Sequence, residues 1–202
     1  EARRALAEAG YHVLLSDLGL PDSQGLETIL GLQTAAPQTP LVVFTGESHD
    51  AMGLESIQMG AQDFLPKDSL NEHLLSRTLR YAIERHRLEE EQRLWAKAFE
   101  ASEPMMITGR DGTILGVNSA FSSVTGYSGE EAVGANPRHL LRSDCHDDAF
   151  FAEIWHKIHR EGYWSGEIWN RRRDGETFPV HETITAVSGP SGEVSHYVAV
   201  LQ

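Results

Sequence analysis

The stretch YHVLLSDLGLPDSQG, residues 11–25, runs apolar through Val13, Leu14 and Leu15, meets Asp17 one serine later, and turns at once through Leu-Gly-Leu-Pro. A short apolar run bounded by turn residues reads as a strand buried on both faces, the kind found in parallel sheets. A carboxylate set against such a strand is costly, because a charge taken from water needs a partner. The cost asks for a chemical reason.

Outward from this stretch, residues 1–69 alternate helix-like and short strand-like segments. Strands are predicted at 11–16, 41–44 and 62–65, and between them LETILGLQTAA and AMGLESIQMG carry apolar residues at the three- and four-residue spacing of one-sided helices. Right-handed crossovers then make the strands parallel. The opening EARRALAEAG also reads as helix, and both chain ends read as cut. From Leu70 a longer helix is predicted to Phe99, with Leu74, Leu75, Leu79, Ala82 and Ile83 on one stripe. After Ile83 the stripe thins into ERHRLEEEQR, a solvated connector, although Tyr81, Leu88 and Trp95 stand seven apart, as in a weak coiled-coil seam. A homodimer is expected, paired through this helix, residues 70–99, or through the domain that follows it.

From Pro104 the pattern changes to strand, turn, strand. Asp111-Gly112, Asp174-Gly175 and GPSGE are hairpin signals, and five strands surround a helical middle at 118–160. The fold class is therefore α/β plus α+β, with boundaries expected at 1–86, 87–99 and 100–202.

Composition narrows the function. Lys and Arg number 17 against 30 Asp and Glu, a formal net charge of −13, which argues against a bare nucleic-acid or anionic-membrane binder. The basic residues cluster only at Arg171, Arg172 and Arg173, read as a self-balancing hairpin tip beside Asp174 and Glu176. No apolar run is long enough to span a bilayer. The single cysteine, Cys145, excludes an internal disulfide and fits a reducing cytoplasm.

Ligand-handling groups of a parallel α/β sheet gather at the carboxyl ends of its strands. Here three successive strands end in Asp17, Thr45 and Lys67. A carboxylate can attack phosphorus to form an acyl phosphate, while a hydroxyl and an ammonium hold the transferred oxygens. Singly, each residue is also an ordinary turn former or solvated charge.

The motifs DLGLPDSQG, VVFTG and GAQDFLPKD resemble those of bacterial response-regulator receiver domains, over residues 1–86. The resemblance implies a partial flavodoxin-like, doubly wound parallel sheet. It makes Asp17 the residue phosphorylated by a histidine kinase, Thr45 the switch hydroxyl, Phe64 the aromatic that turns inward with it, and Lys67 the phosphate-binding lysine. It also implies Mg²⁺ held by Asp17 and the Gly19 main-chain carbonyl. Receivers begin with a strand bearing an acidic pair; this chain contains none, so the first strands and part of the Mg²⁺ site are expected to be missing. Asp68 stands where receivers commonly place proline.

ITGRDGTILGVNSAFSSVTGYSGEEAVGANP and WSGEIWNRRRDGETFPV resemble the PAS sensor fold, a five-stranded antiparallel sheet with helices over it. Asn136, Trp169 and Asn170 are then possible ligand contacts, with noncovalent flavin a candidate. Covalent flavin chemistry is not available, because Pro137 occupies the position of the reactive cysteine in the light-sensing members. Haem is disfavoured: the stripe Phe151, Ile154, Trp155, Ile158 turns His156 to the far face and His159 to the flank, with His139 and His146 undecided.

No phosphate loop, nucleophile elbow or zinc helix is present, and His73 and His86 lack the surroundings of a kinase histidine. The chain reads as a relay, not a catalyst. Receiver followed by PAS resembles the front half of bacterial proteins whose next domain is a diguanylate cyclase, a phosphodiesterase or a kinase. The alternatives are a small-molecule sensor with a vestigial receiver, and a dimerisation scaffold.

Overall fold

The structure, a computed structural model, describes Leu6 and residues 10–20, 23–46 and 50–202. The helix expected at the start of the chain lies largely outside the described residues. The chain divides into two compact units, Glu1–Leu94 and Trp95–Gln202.

In the first unit, β1 (Leu14–Asp17), β4 (Leu41–Thr45) and β5 (Asp63–Pro66) form a parallel sheet in the order β1-β4-β5. Central strand β4 shows why the apolar run is unbroken. Leu41 and Val43 pack with Ile29 and Ala61 on one face, and Val42 packs with Leu65 and Ala82 on the other. Each such buried side chain stabilises by roughly 1.5–3 kcal/mol, so β4 fixes both layers at once. Helices α1 (Leu26–Ala35) and α2 (Asp50–Gln58) connect the strands. A short ladder between β2 (Gly19–Leu20) and β3 (Ser23–Gln24), which no local pattern foretold, returns the chain after Asp17.

Helix α3 (Glu72–Glu100) opens with Asn71 Oδ1 accepting the Leu74 amide at 2.9 Å. Its stripe of Leu74, Leu75 and Leu79 covers Val42 and Leu65. Beyond Ile83 the helix carries ion pairs such as Arg85–Glu89 and Arg87–Glu84, each worth a few tenths of a kcal/mol. The stretch is mostly exposed, and two polar contacts tie it to the loops of the first unit. Gln62 Nε2 donates to Glu89 at 2.9 Å, and His86 Nε2 lies 3.0 Å from the Gln38 carbonyl, so polar side chains tether it where apolar ones run out.

The second unit is a five-stranded antiparallel sheet in the order β7-β6-β10-β9-β8, formed by β6 (Met105–Gly109), β7 (Ile114–Val117), β8 (Tyr163–Arg171), β9 (Thr177–Ser188) and β10 (Val194–Leu201). Gly112 and Gly175 sit at φ 81° and 94°, the left-handed conformation that lets the Asp-Gly turns close. Between β7 and β8 lie α4 (Ser119–Thr125), α5 (Gly129–Ala132), α6 (Pro137–Leu140) and α7 (Asp148–Glu161), capped in turn by Asn118, Ser128, Asn136 and Asp147. The core joins Ile114, Phe121, Ile154 and Ile158 to Ile168, Val180 and Leu201 on the sheet. The expected fold class, partial parallel α/β followed by antiparallel α+β, is the one observed.

Candidate functional site

Sheet register brings three strand ends of the first unit to one rim. Asp17 pairs with Phe44 and Thr45 with Pro66, so Lys67 follows directly on the same edge. Lys67 Nζ contacts Asp17 Oδ2, and the Gly19 amide donates to Asp17 Oδ1 at 3.0 Å. The Lys67 ammonium, helped by the Gly19 amide, holds the Asp17 carboxyl below the usual carboxylate range. This answers the cost posed by the sequence, because the carboxylate at the strand end is paired and half-exposed rather than buried alone. Thr45 is buried at the end of the adjacent strand. Phe64 packs its half-buried ring against α2 at Gly53, where an added Cβ would lie 2.6 Å from Phe64 Cδ2.

Mg²⁺ wants about six oxygen ligands, several of them water. The residues expected to supply them are the Asp17 carboxylate and the Gly19 carbonyl, and no cluster of three or more His, Cys, Asp or Glu able to hold a metal exists among the described residues. These residues alone do not complete the expected Mg²⁺ site.

In the second unit the sheet, the β6–β7 turn, α6 and α7 line a half-open cavity of about 690 Å³. Its walls are mostly apolar, with Ile154, Trp155, Ile168, Ile184 and Tyr197 among them. The sheet floor carries polar side chains too, among them Thr108 from β6, Asn170 from β8 and Glu182 from β9, each 4–5% exposed. Asn170 Nδ2 is buried without a hydrogen-bond partner. Burial pushes the Glu182 carboxyl up to about 7, opposed only by the neighbouring Asn170 amide.

Of the expected ligand contacts, Asn136 and Asn170 line this cavity and Trp169 does not. Strand alternation turns Trp169 away from the face that carries Ile168 and Asn170. Asn136 also caps α6, its Oδ1 accepting the Arg138 amide at 3.0 Å. His159 reaches the cavity wall, though the helical stripe had left it on the flank. His146 stacks on Phe150 at 3.9 Å, and its Nε2 accepts the Trp169 amide at 3.0 Å, so it braces a loop against β8. The basic triplet is balanced by carboxylates: Arg171 with Asp144, Arg172 with Glu176, Arg173 with Glu131.

Sequence reasoning missed Glu182. The signal was available: in TFPVHETITAV the residues sharing its face are Phe178, Val180 and Ile184, so an acid falls at an inward position.

The response regulator receiver domain family model matches residues 1–79, and the PAS domain family model matches residues 102–202. A nitrogen fixation regulatory protein of Klebsiella oxytoca is 36% identical over 101 residues, which cover 50% of this chain and 20% of that protein. The response regulator protein PilR of Pseudomonas aeruginosa is 36% identical over 67 residues, 33% of this chain and 15% of its own length. The chain thus spans a fifth or less of these two relatives. The crystal structure of a PAS domain from a Colwellia psychrerythraea protein superposes with a TM-score of 0.52 at 21% identity, covering 55% of this chain and 94% of that one.

Proposed function

Since the chain belongs to the PAS domain family and carries a response regulator receiver domain ahead of its PAS domain, we propose that it is a phosphorelay module in which Asp17 accepts a phosphoryl group from a histidine kinase. The contact of Lys67 with Asp17 at the rim beside Thr45 carries this reading. An Asp17 oxygen attacks phosphorus, the phosphorus–nitrogen bond of the donor phosphohistidine breaks, and its electron pair returns to the imidazole. An acyl phosphate remains on Asp17. Lys67 then moves from the carboxylate to a phosphoryl oxygen, and the Thr45 hydroxyl donates to another. Drawing Thr45 toward the rim opens space for the Phe64 ring, which leaves Gly53 and changes the packing of α2.

The signal passes on through α3 to the PAS domain and to an output domain beyond these residues. Tyr81, Leu88 and Trp95, exposed at seven-residue spacing, support a homodimer through this helix. A cytoplasmic location suits a kinase partner, and no helix among the described residues is long and apolar enough to cross a membrane. The two matched domains are regulatory modules.

The test is labelling of the full-length protein with radioactive acetyl phosphate. A label that hydroxylamine removes, lost in Asp17→Asn and kept in Asp68→Asn, is expected. Equal labelling of Asp17→Asn, or none in the unmodified protein, would refute phosphate acceptance at Asp17.

A second reading concerns the PAS cavity as the seat of a small organic ligand, flavin being the candidate raised by its sequence. The mostly apolar cavity of about 690 Å³ with Thr108, Asn170 and Glu182 on its sheet floor favours it. Absorbance and native mass spectrometry of the purified protein test it, since a retained chromophore or small molecule is the expected result.

A further inference from the structure

Strand β8 is the outer strand of the antiparallel sheet, so one of its sides has no strand to pair with. The loop 141–147, between α6 and α7, covers the last part of that side. The Leu141 carbonyl accepts the Arg171 amide at 2.7 Å, Arg142 forms a β-bridge with Asn170, and the buried Ser143 hydroxyl donates to the Trp169 carbonyl at 2.5 Å. The Trp169 amide, on the same side, donates to His146 Nε2 at 3.0 Å. An imidazole nitrogen that accepts a hydrogen bond carries no proton, so the docked ring is neutral with its proton on Nδ1. A second proton turns Nε2 into a donor facing another donor. Charged groups stand on every element packed against this ring. Asp144 in the loop pairs with Arg171 of β8 at 3.9 Å, Asp147 accepts the Phe150 amide at 2.9 Å, and Asp148 is shared by Arg138 and Arg142 at 3.0 and 2.9 Å. Glu167 lies two residues before Trp169 on β8.

We propose that the loop 141–147 is a proton-operated latch on the free side of β8: a neutral His146 holds it shut, and a proton on His146 Nε2 releases it. Docking and protonation exclude each other, so acid favours release, within the range between about pH 5 and 8 where histidine changes charge. The aspartates of the loop and of the first turn of α7 give the imidazolium favourable neighbours once it turns from the strand. Release leaves the Trp169 amide and carbonyl open on a strand edge, a place where unpaired backbone groups invite a new partner. It also loosens Arg142 from its seat 4.9 Å over the Phe151 ring, and these two residues, with Asp148, line the cavity. The latch thereby couples pH to the wall of the cavity whether or not a ligand occupies it.

Amide hydrogen exchange read by NMR on the full chain tests the latch, each rate being divided by that of an unstructured chain at the same pH. Protection of the Trp169 amide should fall on the order of tenfold or more from about pH 8 to about pH 5.5, while amides of the central strand β10 keep theirs. The buried Glu182 carboxyl makes the whole domain more stable toward acid, so a local loss at Trp169 runs against the global trend. Nitrogen-15 spectra of the imidazole should show Nε2 bare at the alkaline end and protonated as the Trp169 amide loses protection. His146→Gln offers a carbonyl oxygen that does not titrate, and its Trp169 protection should stay level across the range. His146→Phe keeps a ring to stack on Phe150 but has no acceptor, and should show the weakened protection already at the alkaline end. Circular dichroism confirms that each variant is folded. Equal Trp169 protection at both ends in the unmodified chain, or a protonated Nε2 at the alkaline end, overturns the latch without recourse to any variant. So does an equal acid-induced fall in His146→Gln, or full alkaline protection in His146→Phe.

Discussion

The buried amide of Asn118 donates to the Phe99 carbonyl at 2.9 Å, fastening the last turn of α3 to the start of the antiparallel domain. The same side chain donates to the Glu103 carbonyl at 2.8 Å, while its Oδ1 accepts the amides of Met105 and Phe121, each at 2.9 Å. One residue, 1% exposed, thus holds the helix end, the first strand and the first turn of α4.

Asn118→Ala leaves two amides and three carbonyls, of Phe99, Ser102 and Glu103, short of their partner. A loss of about 2–4 kcal/mol is expected in the urea unfolding of the PAS domain. Asn118→Asp keeps the acceptor but aims a carboxylate at the Phe99 and Glu103 carbonyls, and should cost at least as much at neutral pH. A loss below about 1 kcal/mol in both variants would show that water replaces the amide at little cost.

Gly53 and Phe64 should couple with a reversal of sign. Alanine in a helix gains about 1 kcal/mol over glycine. At Gly53, however, its Cβ would lie 2.6 Å from the Phe64 ring, and overpacking costs about 1–3 kcal/mol. Gly53→Ala is therefore destabilising by about 1 kcal/mol alone and stabilising in a Phe64→Ala background. A double-mutant cycle in urea reads the coupling, and additive effects would mean that ring and helix do not press on each other.

These relationships mark where the sequence stops being informative. LVVF placed β4, because a strand buried on both faces needs an unbroken apolar run, and Asp-Gly placed two hairpins, because only a few residues accept those turn angles. Asp17, Thr45 and Lys67 could be set on one rim because strands joined by crossover helices run parallel, so their carboxyl ends share an edge. Gln62 meeting Glu89 and His86 meeting the Gln38 carbonyl left no local trace, since hydrophobic periodicity says nothing of long polar side chains that find each other across 27 and 48 residues. Trp169 and Glu182 were legible but misread or overlooked: strict alternation along β8 and β9 turns the tryptophan outward and the acid inward.

Lys67→Ala should raise the Asp17 pKa toward its ordinary value, because the ammonium is the larger cause of its depression. For a carboxylate depressed in the folded state, the unfolded chain binds the proton more readily, so the stabilisation is present above the ordinary value of 3.8 and is lost as pH falls through the folded pKa. Both side chains are more than a third exposed, so screening keeps the effect small and salt-sensitive. Carboxyl-carbon NMR titration of Asp17 in the two proteins checks the direction. An unchanged titration would mean that the ion pair does not persist in solution.

Glu182 has the opposite sign. Its pKa rises from 4.5 to about 7 on folding, so between those values the folded protein holds a proton that the unfolded chain has released. Stability therefore falls as pH rises through that window, and above about 7 the full cost of a buried, unpaired carboxylate is present, about 3 kcal/mol at 1.36 kcal/mol per pKa unit. Glu182→Gln removes the charge while keeping the shape. Its PAS domain should match the unmodified protein near pH 4.5 and exceed it by up to that amount at pH 8, as read by thermal or urea unfolding at each pH. Taking the difference between the two proteins cancels the other titrating groups, so a difference that stays flat from acid to pH 8 would mean that the carboxyl ionises in the folded state as easily as in the unfolded one.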